Sequence, residues 1–330
     1  MRSTDSVESQ LARDDDPRLP QDLERSIFEI AALEWPAKDA CRLFLVAKRV
    51  YNWTRPFLFE VFVQYLHGPY FPNFKEYPAL KLEDVGKFTR YLLLATKHDN
   101  FELDEILSSC PNVVHLDLFG EPLRKHLKAI RPMRLVRLAA ILRHMLMAEL
   151  LTPTFINLTH LDVIDSALDY DDDDKKDVWE DHWEVLAALP RLTHLSVSDC
   201  HYALVPHLLL HCKQLQILLV HDRKDEEIER SNIFSVLSDI KDERLVLMIE
   251  MSVELLQKEL LDGKKEKAME FWVTAELFAA ARKRKFLNDT SQRFIDPDDF
   301  DWDEELNDQG KMWYSALSIG PFDRCLCRRL

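Results

Sequence analysis

The sequence predicts an α/β fold, in which a three-helix N-terminal module is followed by an irregular α/β solenoid of short repeats and a C-terminal helical end. Apolar residues recur at helical spacing in residues 19–66, and a short apolar unit recurs from residue 88 onward. Helical patterns lie between the copies of that unit, and one such repeat cannot bury its apolar face unless its neighbours stack on it. We therefore expect a disordered polar tail at 1–18, the helical module at 19–66, the repeats at 67–260, and a C-terminal helix with an acidic, aromatic tail at 261–330.

The N-terminal module contains three amphipathic patterns. Pro20 stands where the first turn of a helix tolerates proline, and Pro36 ends the first pattern. Asp39 can cap a second helix, and a third pattern continues past Pro56 as far as Val61. The module has almost no polar residues at its core positions.

The repeated unit consists of three apolar residues, with two residues between the first and second and one residue between the second and third. In the first copy, which starts at Phe88, the other two positions are Tyr91 and Leu93. The gaps between successive first positions are 25, 22, 23, 34, 23 and 30 residues, and charged insertions at 169–177 and 222–230 account for the two longest. The later copies start at Val113, Leu135, Leu158, Leu192, Leu215 and, in degenerate form, Leu245.

The helical module resembles an F-box in three short stretches. These are Leu19-Pro20-x-x-Leu23-x-x-x-Ile27-Phe28, the segment 45–50, and Pro56-Phe57-Leu58, although Ala47 replaces the usual Cys and Val50 the usual Trp. The repeats resemble a degenerate leucine-rich-repeat array, whose units run roughly 20–29 residues. Together with the predicted helix at 266–286, the chain resembles the F-box-like proteins that are numerous in mushroom-forming fungi.

This resemblance implies a substrate-recognition adaptor of a cullin–RING ubiquitin ligase of the SCF type. The F-box would dock on the Skp adaptor protein, and the repeats would hold an unidentified protein substrate. The alternative is that the F-box-like residues only fill the core of their own helical bundle, in which case the chain is a protein-binding scaffold without ligase association. The candidate Skp contacts are Leu19, Pro20, Leu23, Ile27, Phe28, Leu45 and Val46.

Polar residues between the repeated apolar positions are predicted to lie on one exposed, concave face of the sheet, because side chains alternate along a strand. Strand spacing places His160 about 5 Å from His194. These residues form either a partner-binding or pH-sensitive stripe, or ordinary polar strand surface. No third ligand is identified, so no metal site is predicted. The six residues are His115, Asp117, His160, Asp162, His194 and Ser196.

Composition and motifs exclude several functional classes. The net charge of −15 disfavours sequence-independent nucleic-acid binding. The six Gly form no phosphate-binding loop, and no motif for catalysis or a cofactor occurs, so we expect neither an enzyme nor a cofactor. The longest apolar stretch, at 135–151, is interrupted by charged residues and is too polar to cross a bilayer. With no signal peptide and no paired Cys motif, the expected location is the cytoplasm, the nucleus or both.

Overall fold

The chain divides into two compact units, Met1–Leu58 and Phe59–Leu330. The predicted disordered tail at 1–18, the insertion at 169–177 and nearly all of that at 222–230 lie outside the described residues. The computed structural model describes residues 19–35, 37–64, 71–74, 77–95, 102–142, 145–164, 183–198, 203–222, 237, 239–249, 270–289, 291–292, 294–296 and 300–317.

The first unit is helical. It consists of α1 (Gln21–Glu34), α2 (Ala37–Ala40), a 3₁₀ helix at Cys41–Leu45, and α3 (Lys48–Leu58). Helix α1 starts directly after Pro20 and ends at Glu34. The next residue, Trp35, has the extended backbone that a following proline favours. The unit has its own apolar core, formed by Ala32, Ala40, Leu43, Val50 and Leu58.

The predicted helical pattern through Val61, and with it a helical module reaching residue 66, is wrong. Helix α3 ends at Leu58, and Val61–Gln64 form strand β1. All four residues of β1 are buried and three of them are apolar, so the segment shows no alternation that would mark it as a strand. Its β-branched and aromatic residues suit a strand better than a helix.

In the described part of the second unit, nine strands form one parallel sheet, and their order in the sheet is their order along the chain. This confirms the α/β class. The strands are β1, β2 (Tyr91–Ala95), β3 (His115–Pro122), β4 (Arg137–Ile141), β5 (His160–Val163), β6 (His194–Ser198), β7 (Ile217–Asp222), β8 (Leu245–Ile249) and β9 (Phe294–Ile295). The helices along the connections are α4 (Leu82–Gly86), α5 (Leu103–Ser109), α6 (Leu127–Ile130), preceded by a 3₁₀ helix at Leu123–His126, α7 (Met147–Leu150), α8 (Trp183–Ala188) and α9 (Val205–His211).

The strand register follows the repeated leucines in the central copies. Leu116, Leu138, Leu161 and Leu195 are aligned across β3 to β6, and all four are buried. They continue into Leu218 and then Leu245. The middle copies of the unit therefore have the predicted phase.

The first copy has the wrong phase, because the register aligns Leu92 with Leu116 and places Tyr91 opposite His115. Tyr91 and Leu93 therefore lie on the face opposite to the repeated leucines. Four consecutive apolar residues at 91–94 give no alternation, and a slip of one residue exchanges the two faces of a strand. In the last copy Leu245 occupies the second position of the unit, not the first.

The C-terminal segment contains more structure than its sequence pattern indicates. The predicted helix at 266–286 is described as α10 (Glu270–Lys283), and it is followed by β9, α11 (Trp302–Glu305) and α12 (Asp308–Ala316). The part that the sequence marks only as an acidic, aromatic tail therefore contains three further elements. Strand β9 has two residues and α11 has four, and elements this short carry no detectable periodicity.

Candidate functional site

Helix α1 carries apolar residues on two opposite sides. At ~100° per residue, Leu23, Ile27 and Ile30 fall within about 60° of one another, whereas Phe28 and Ala32 lie on the opposite side. Phe28 and Ala32 pack in the core of the first unit, while Ile27 and Ile30 are each 53% exposed. We call the exposed set Leu19, Leu23, Ile27, Ile30 and Leu33 the α1 stripe.

Six of the seven predicted Skp contacts are exposed, and the seventh is not. Leu45 and Val46, which end and follow the 3₁₀ helix, are exposed as well, Leu45 by 87%. Phe28 is half-buried and packs against the core, so for this residue the core-filling alternative describes the packing better. The exposed six are Leu19, Pro20, Leu23, Ile27, Leu45 and Val46.

The predicted concave face of the sheet is covered in its second half. Helix α10 packs across this face, and Trp272, Ala275 and Phe278 join one apolar cluster with Leu219 and Val246 of β7 and β8. Arg282, in the last turn of α10, donates hydrogen bonds of 2.6 Å to the carbonyl oxygens of Glu243 and Leu245. The C-terminal segment therefore folds over the sheet.

This cover corrects the expectation of an exposed polar stripe. His160 and His194 are each 4% exposed and Ser196 is fully buried, whereas His115, Asp117 and Asp162 remain half-buried. The expectation failed because alternation along a strand tells which face a side chain occupies, but not what covers that face. The covering helix lies more than 70 residues further along the chain.

His160 and His194 lie side by side, as the strand spacing predicted. They are register partners on β5 and β6, and their rings stack with centroids 4.2 Å apart and planes 7° from parallel. Trp272 of α10 meets both rings edge-on, at 5.4 and 5.6 Å. Both side chains are thus held between the sheet and α10.

Glu276 of α10 brings a carboxylate to the same place. Its Oε1 atom lies 2.8 Å from Nε2 of His194, and one donor atom from each of His160, His194 and Glu276 lies within 4.8 Å of the other two. Apart from this contact, neither Nε2 atom has a hydrogen-bond partner among the described residues. Two imidazoles and one carboxylate are a donor set that can hold a metal ion.

A polar group continues along the face from this cluster towards β3. Arg137 of β4 is aligned between His115 and His160. Burial, with Arg137 and Arg90 adding to it, lowers the pKa of His115 to about 3. Burial also lowers the pKa of His160 far below its usual value, and the charge on Arg137 reinforces that shift. Both imidazoles are therefore neutral at pH 7.

Asp117, in the same polar group, has a pKa raised to about 7. Burial is the main cause and the neighbouring Asp162 carboxylate adds to it, while Arg137 acts in the opposite direction. A carboxyl group of this kind takes up or releases a proton near neutral pH. The middle of the face therefore combines neutral imidazoles with a carboxyl group that is partly protonated.

The structure adds residues that the sequence analysis missed. Ile30 belongs to the α1 stripe but is not among the predicted contacts, although its spacing from Ile27 and Leu23 could have indicated this. Glu276 and Trp272 could not be assigned to the histidines from the sequence, because no pattern relates α10 to β5 and β6. Arg137 occupies the same position of its repeat as His115 and His160, and this alignment could have predicted that it lies between them on the same face.

No model of a known protein family matches this chain, and a search of curated proteins finds no match either. None of the described helices combines the length and the apolar character that crossing a membrane requires. The family of the chain is therefore not identified by similarity, and the functional argument has to come from the surfaces described above.

Proposed function

We propose that this chain is a substrate-recognition adaptor of an SCF-type ubiquitin ligase. In this proposal the first unit is an F-box-like module that docks on a Skp-type adaptor protein. The second unit is an irregular leucine-rich-repeat solenoid that holds a protein target. The chain performs no chemistry of its own and acts by raising the effective concentration of the target near the ligase.

The α1 stripe is the observation that carries the proposal. A small helical unit that already has a core gains nothing from five further apolar residues in water, and contiguous exposed apolar patches mark interaction sites. Apolar residues at positions i, i+4 and i+7 of one helix are the arrangement that inserts into a hydrophobic groove. Leu45 and Val46 extend the apolar surface of the unit beyond α1.

The parallel sheet supports the second half of the proposal. Strands that pair in chain order, joined by connections that contain short helices, are the arrangement expected of stacked repeats. Within the predicted target-binding set, His115, Asp117 and Asp162 keep partial exposure, so these three are the remaining candidates for target contact. These three residues lie on β3 and β5, so the part of the face under α10 is not proposed to contact the target.

The alternative function is a protein-binding scaffold without ligase association. The two hypotheses differ in what the α1 stripe binds. A Skp-type protein is the specific partner of the first hypothesis, and no such partner is required by the second.

The test is co-purification of the full chain with a Skp-type adaptor. Leu23→Asp combined with Ile27→Asp places two carboxylates on the exposed stripe and leaves Phe28 in the core. Interface residues of the hot-spot class each contribute at least ~2 kcal/mol, so the double substitution should weaken binding by at least ~100-fold. Gln21→Asp is the matched control, because it adds a carboxylate to an exposed position of α1 that lies off the stripe, and it should bind like the wild type.

Circular dichroism and thermal melting should be unchanged in both variants, since substitutions of exposed residues alter stability by about 0.5 kcal/mol or less. Absence of binding by the folded wild-type chain would reject the ligase-adaptor function in favour of the scaffold. Equal binding by the wild type and the double variant would show that the α1 stripe is not the docking surface.

A further inference from the structure

Three donor side chains from three separate elements converge under α10. The parallel register of β5 and β6 brings His160 and His194 together, and α10 adds Glu276 from the other side. Both histidines are almost completely buried, and the carboxylate of Glu276 is 17% exposed. The cluster therefore lies at the contact between the sheet and its cover.

A threonine hydroxyl contacts the Nδ1 atom of each histidine. The Oγ1 atom of Thr159 donates to the carbonyl oxygen of Val136 at 3.2 Å and lies 2.8 Å from Nδ1 of His160. Thr193 repeats the arrangement one strand further, with the carbonyl of Thr159 and Nδ1 of His194 at the same two distances. In the tautomer with the ring proton on Nδ1, the hydroxyl accepts from Nδ1 and donates to the carbonyl, so both of its contacts are satisfied.

In that tautomer each Nε2 atom carries a lone pair that a metal ion can use. Two imidazole lone pairs and a carboxylate then converge without a donor among the described residues, and the 2.8 Å contact from His194 to Glu276 joins two acceptors. Such a contact is repulsive unless a proton or a metal cation lies between the donor atoms.

The chemistry of the donors selects the kind of cation. Imidazole nitrogen suits zinc and its transition-metal neighbours, whereas magnesium and calcium prefer sites made entirely of oxygen. Two His and one Glu with an open fourth position is a ligand set that Zn²⁺ uses in proteins. The threonine hydroxyls are second-shell partners on Nδ1, which orient the rings and favour Nε2 as the ligand atom.

The distances require a modest closure. Donor atoms around a tetrahedral Zn²⁺ ion are about 3.3 Å apart, given bond lengths of roughly 2.0–2.2 Å. The present donor atoms lie within 4.8 Å of each other, and the two rings are nearly parallel. Tilting the rings towards each other makes their lone pairs converge, and Trp272, edge-on to both, limits the space on the side of α10.

We propose that His160, His194 and Glu276 bind one Zn²⁺ ion, which ties α10 to β5 and β6. The ion would take a water molecule as its fourth ligand. The site is independent of the proposed ligase function, since neither the α1 stripe nor a protein target takes part in it.

The experiment is metal titration of the full chain after treatment with a chelator. Isothermal titration with Zn²⁺ should show one site per chain, and the melting temperature should rise with Zn²⁺ concentration, because a ligand that binds the folded state stabilises it. Co²⁺ in place of Zn²⁺ should give the intense visible absorption of a tetrahedral site. Loss of a second-shell partner alone weakens metal binding by ~10- to 100-fold, so Glu276→Gln should weaken Zn²⁺ binding by at least ~100-fold.

Glu304→Gln is the matched control, because it makes the same chemical change at an exposed carboxylate of α11 and should leave the affinity unchanged. Thr193→Val should weaken Zn²⁺ binding by about 10-fold through the second shell. Wild-type chain that binds no Zn²⁺, or Glu276→Gln that binds it as well as the wild type does, would overturn the proposal and leave a proton shared by His194 and Glu276. If Glu276→Gln does not fold, the Co²⁺ spectrum of the wild type decides, since a spectrum identical to that of the hydrated ion overturns the site.

Discussion

One face of the sheet has two halves that differ in chemistry although they occupy the same positions of the repeat. Asp117, Ala139 and Asp162 form one row across β3 to β5. The same row continues in β6 to β8 as Ser196, Leu219 and Val246, which are all fully buried. The first half is polar and half-exposed at its two carboxylates, whereas the second is mostly apolar and lies under the C-terminal segment.

The difference between the two halves of this face contrasts with the opposite face, where the repeated leucines hardly change from strand to strand. The repeated leucines on one face are similar from β3 to β6 because every strand buries them in the same way. Residues on the other face vary according to what covers them, and the cover belongs to a distant segment. His160, His194 and Ser196 lie at the boundary, where a polar row meets an apolar cover.

The largest expected effect comes from breaking the covered half. Phe278 is fully buried in the cluster between α10 and the sheet, and its ring meets Phe300 edge-on with centroids 5.8 Å apart. Phe278→Ala removes that ring and leaves a cavity, so the free energy of unfolding should fall by about 3–5 kcal/mol. Urea denaturation of the full chain measures this change.

Met312→Ala is the matched control for Phe278→Ala. Met312 lies on α12 of the same C-terminal segment and is 75% exposed, so its loss should change stability by about 0.5 kcal/mol or less. Similar losses in the two variants would contradict the interpretation that α10 is held by its apolar contacts with the sheet.

A second, smaller effect is expected in the polar half, from Asp117→Asn. The pKa of Asp117 rises from 3.8 to about 7 on folding, so the folded chain keeps a proton that the unfolded chain has lost at intermediate pH. The stability associated with this proton is present below about pH 4 and is lost as the pH rises towards 7. Asn does not titrate. The free energy of unfolding of the variant, relative to that of the wild type, should therefore increase by on the order of 2–4 kcal/mol between pH 4 and pH 8.

The measurement is the difference in unfolding free energy between Asp117→Asn and the wild type across that pH range. His115, whose pKa is lowered to about 3, makes stability rise between about pH 3 and pH 6.5, and taking the difference cancels this opposing contribution to first order. Asp239→Asn, which makes the same chemical change at an exposed position, is the matched control. A difference that does not grow with pH would show that Asp117 is not held in its neutral form.

The smallest effect is expected at the boundary, where two serines of β6 should respond with opposite signs. The buried hydroxyl of Ser196 has no hydrogen-bond partner among the described residues, so Ser196→Ala should raise the free energy of unfolding by about 1 kcal/mol. The hydroxyl of Ser198 donates to the carbonyl oxygen of Val163 at 3.1 Å. Ser198→Ala should therefore lower stability by about 1 kcal/mol, and the same sign in both variants would contradict the comparison.

Much of the sheet was predictable, because the repeated leucines of the central copies mark strands with one consistently buried face. The predicted phase was wrong at Tyr91 and Leu93, because both faces of that strand are apolar and the alternation is lost. Strand β1 was wrongly predicted as helix for the same reason. Alternation is a useful signal only where the two faces of a strand meet different surroundings.

The candidate sites were predictable to different degrees. The proximity of His160 to His194 could be predicted from strand spacing alone, because parallel pairing places equivalent residues of adjacent repeats together. Glu276 did not, since its approach depends on how a helix from a remote segment docks, and no local rule encodes that docking. The exposure of Leu23 and Ile27 depended on which side of α1 faces the core, and both sides are apolar.

The agreement between strand order and chain order has a consequence for biosynthesis. Each strand can pair with the one made just before it, so the sheet can grow during translation without waiting for distant residues. Helix α10 and strand β9 leave the ribosome after β8, so α10 cannot cover Leu219 and Val246 before then. We expect the nascent chain to need chaperone protection in the interval between completion of β8 and arrival of α10, when the apolar residues of β7 and β8 lack the cover that α10 provides.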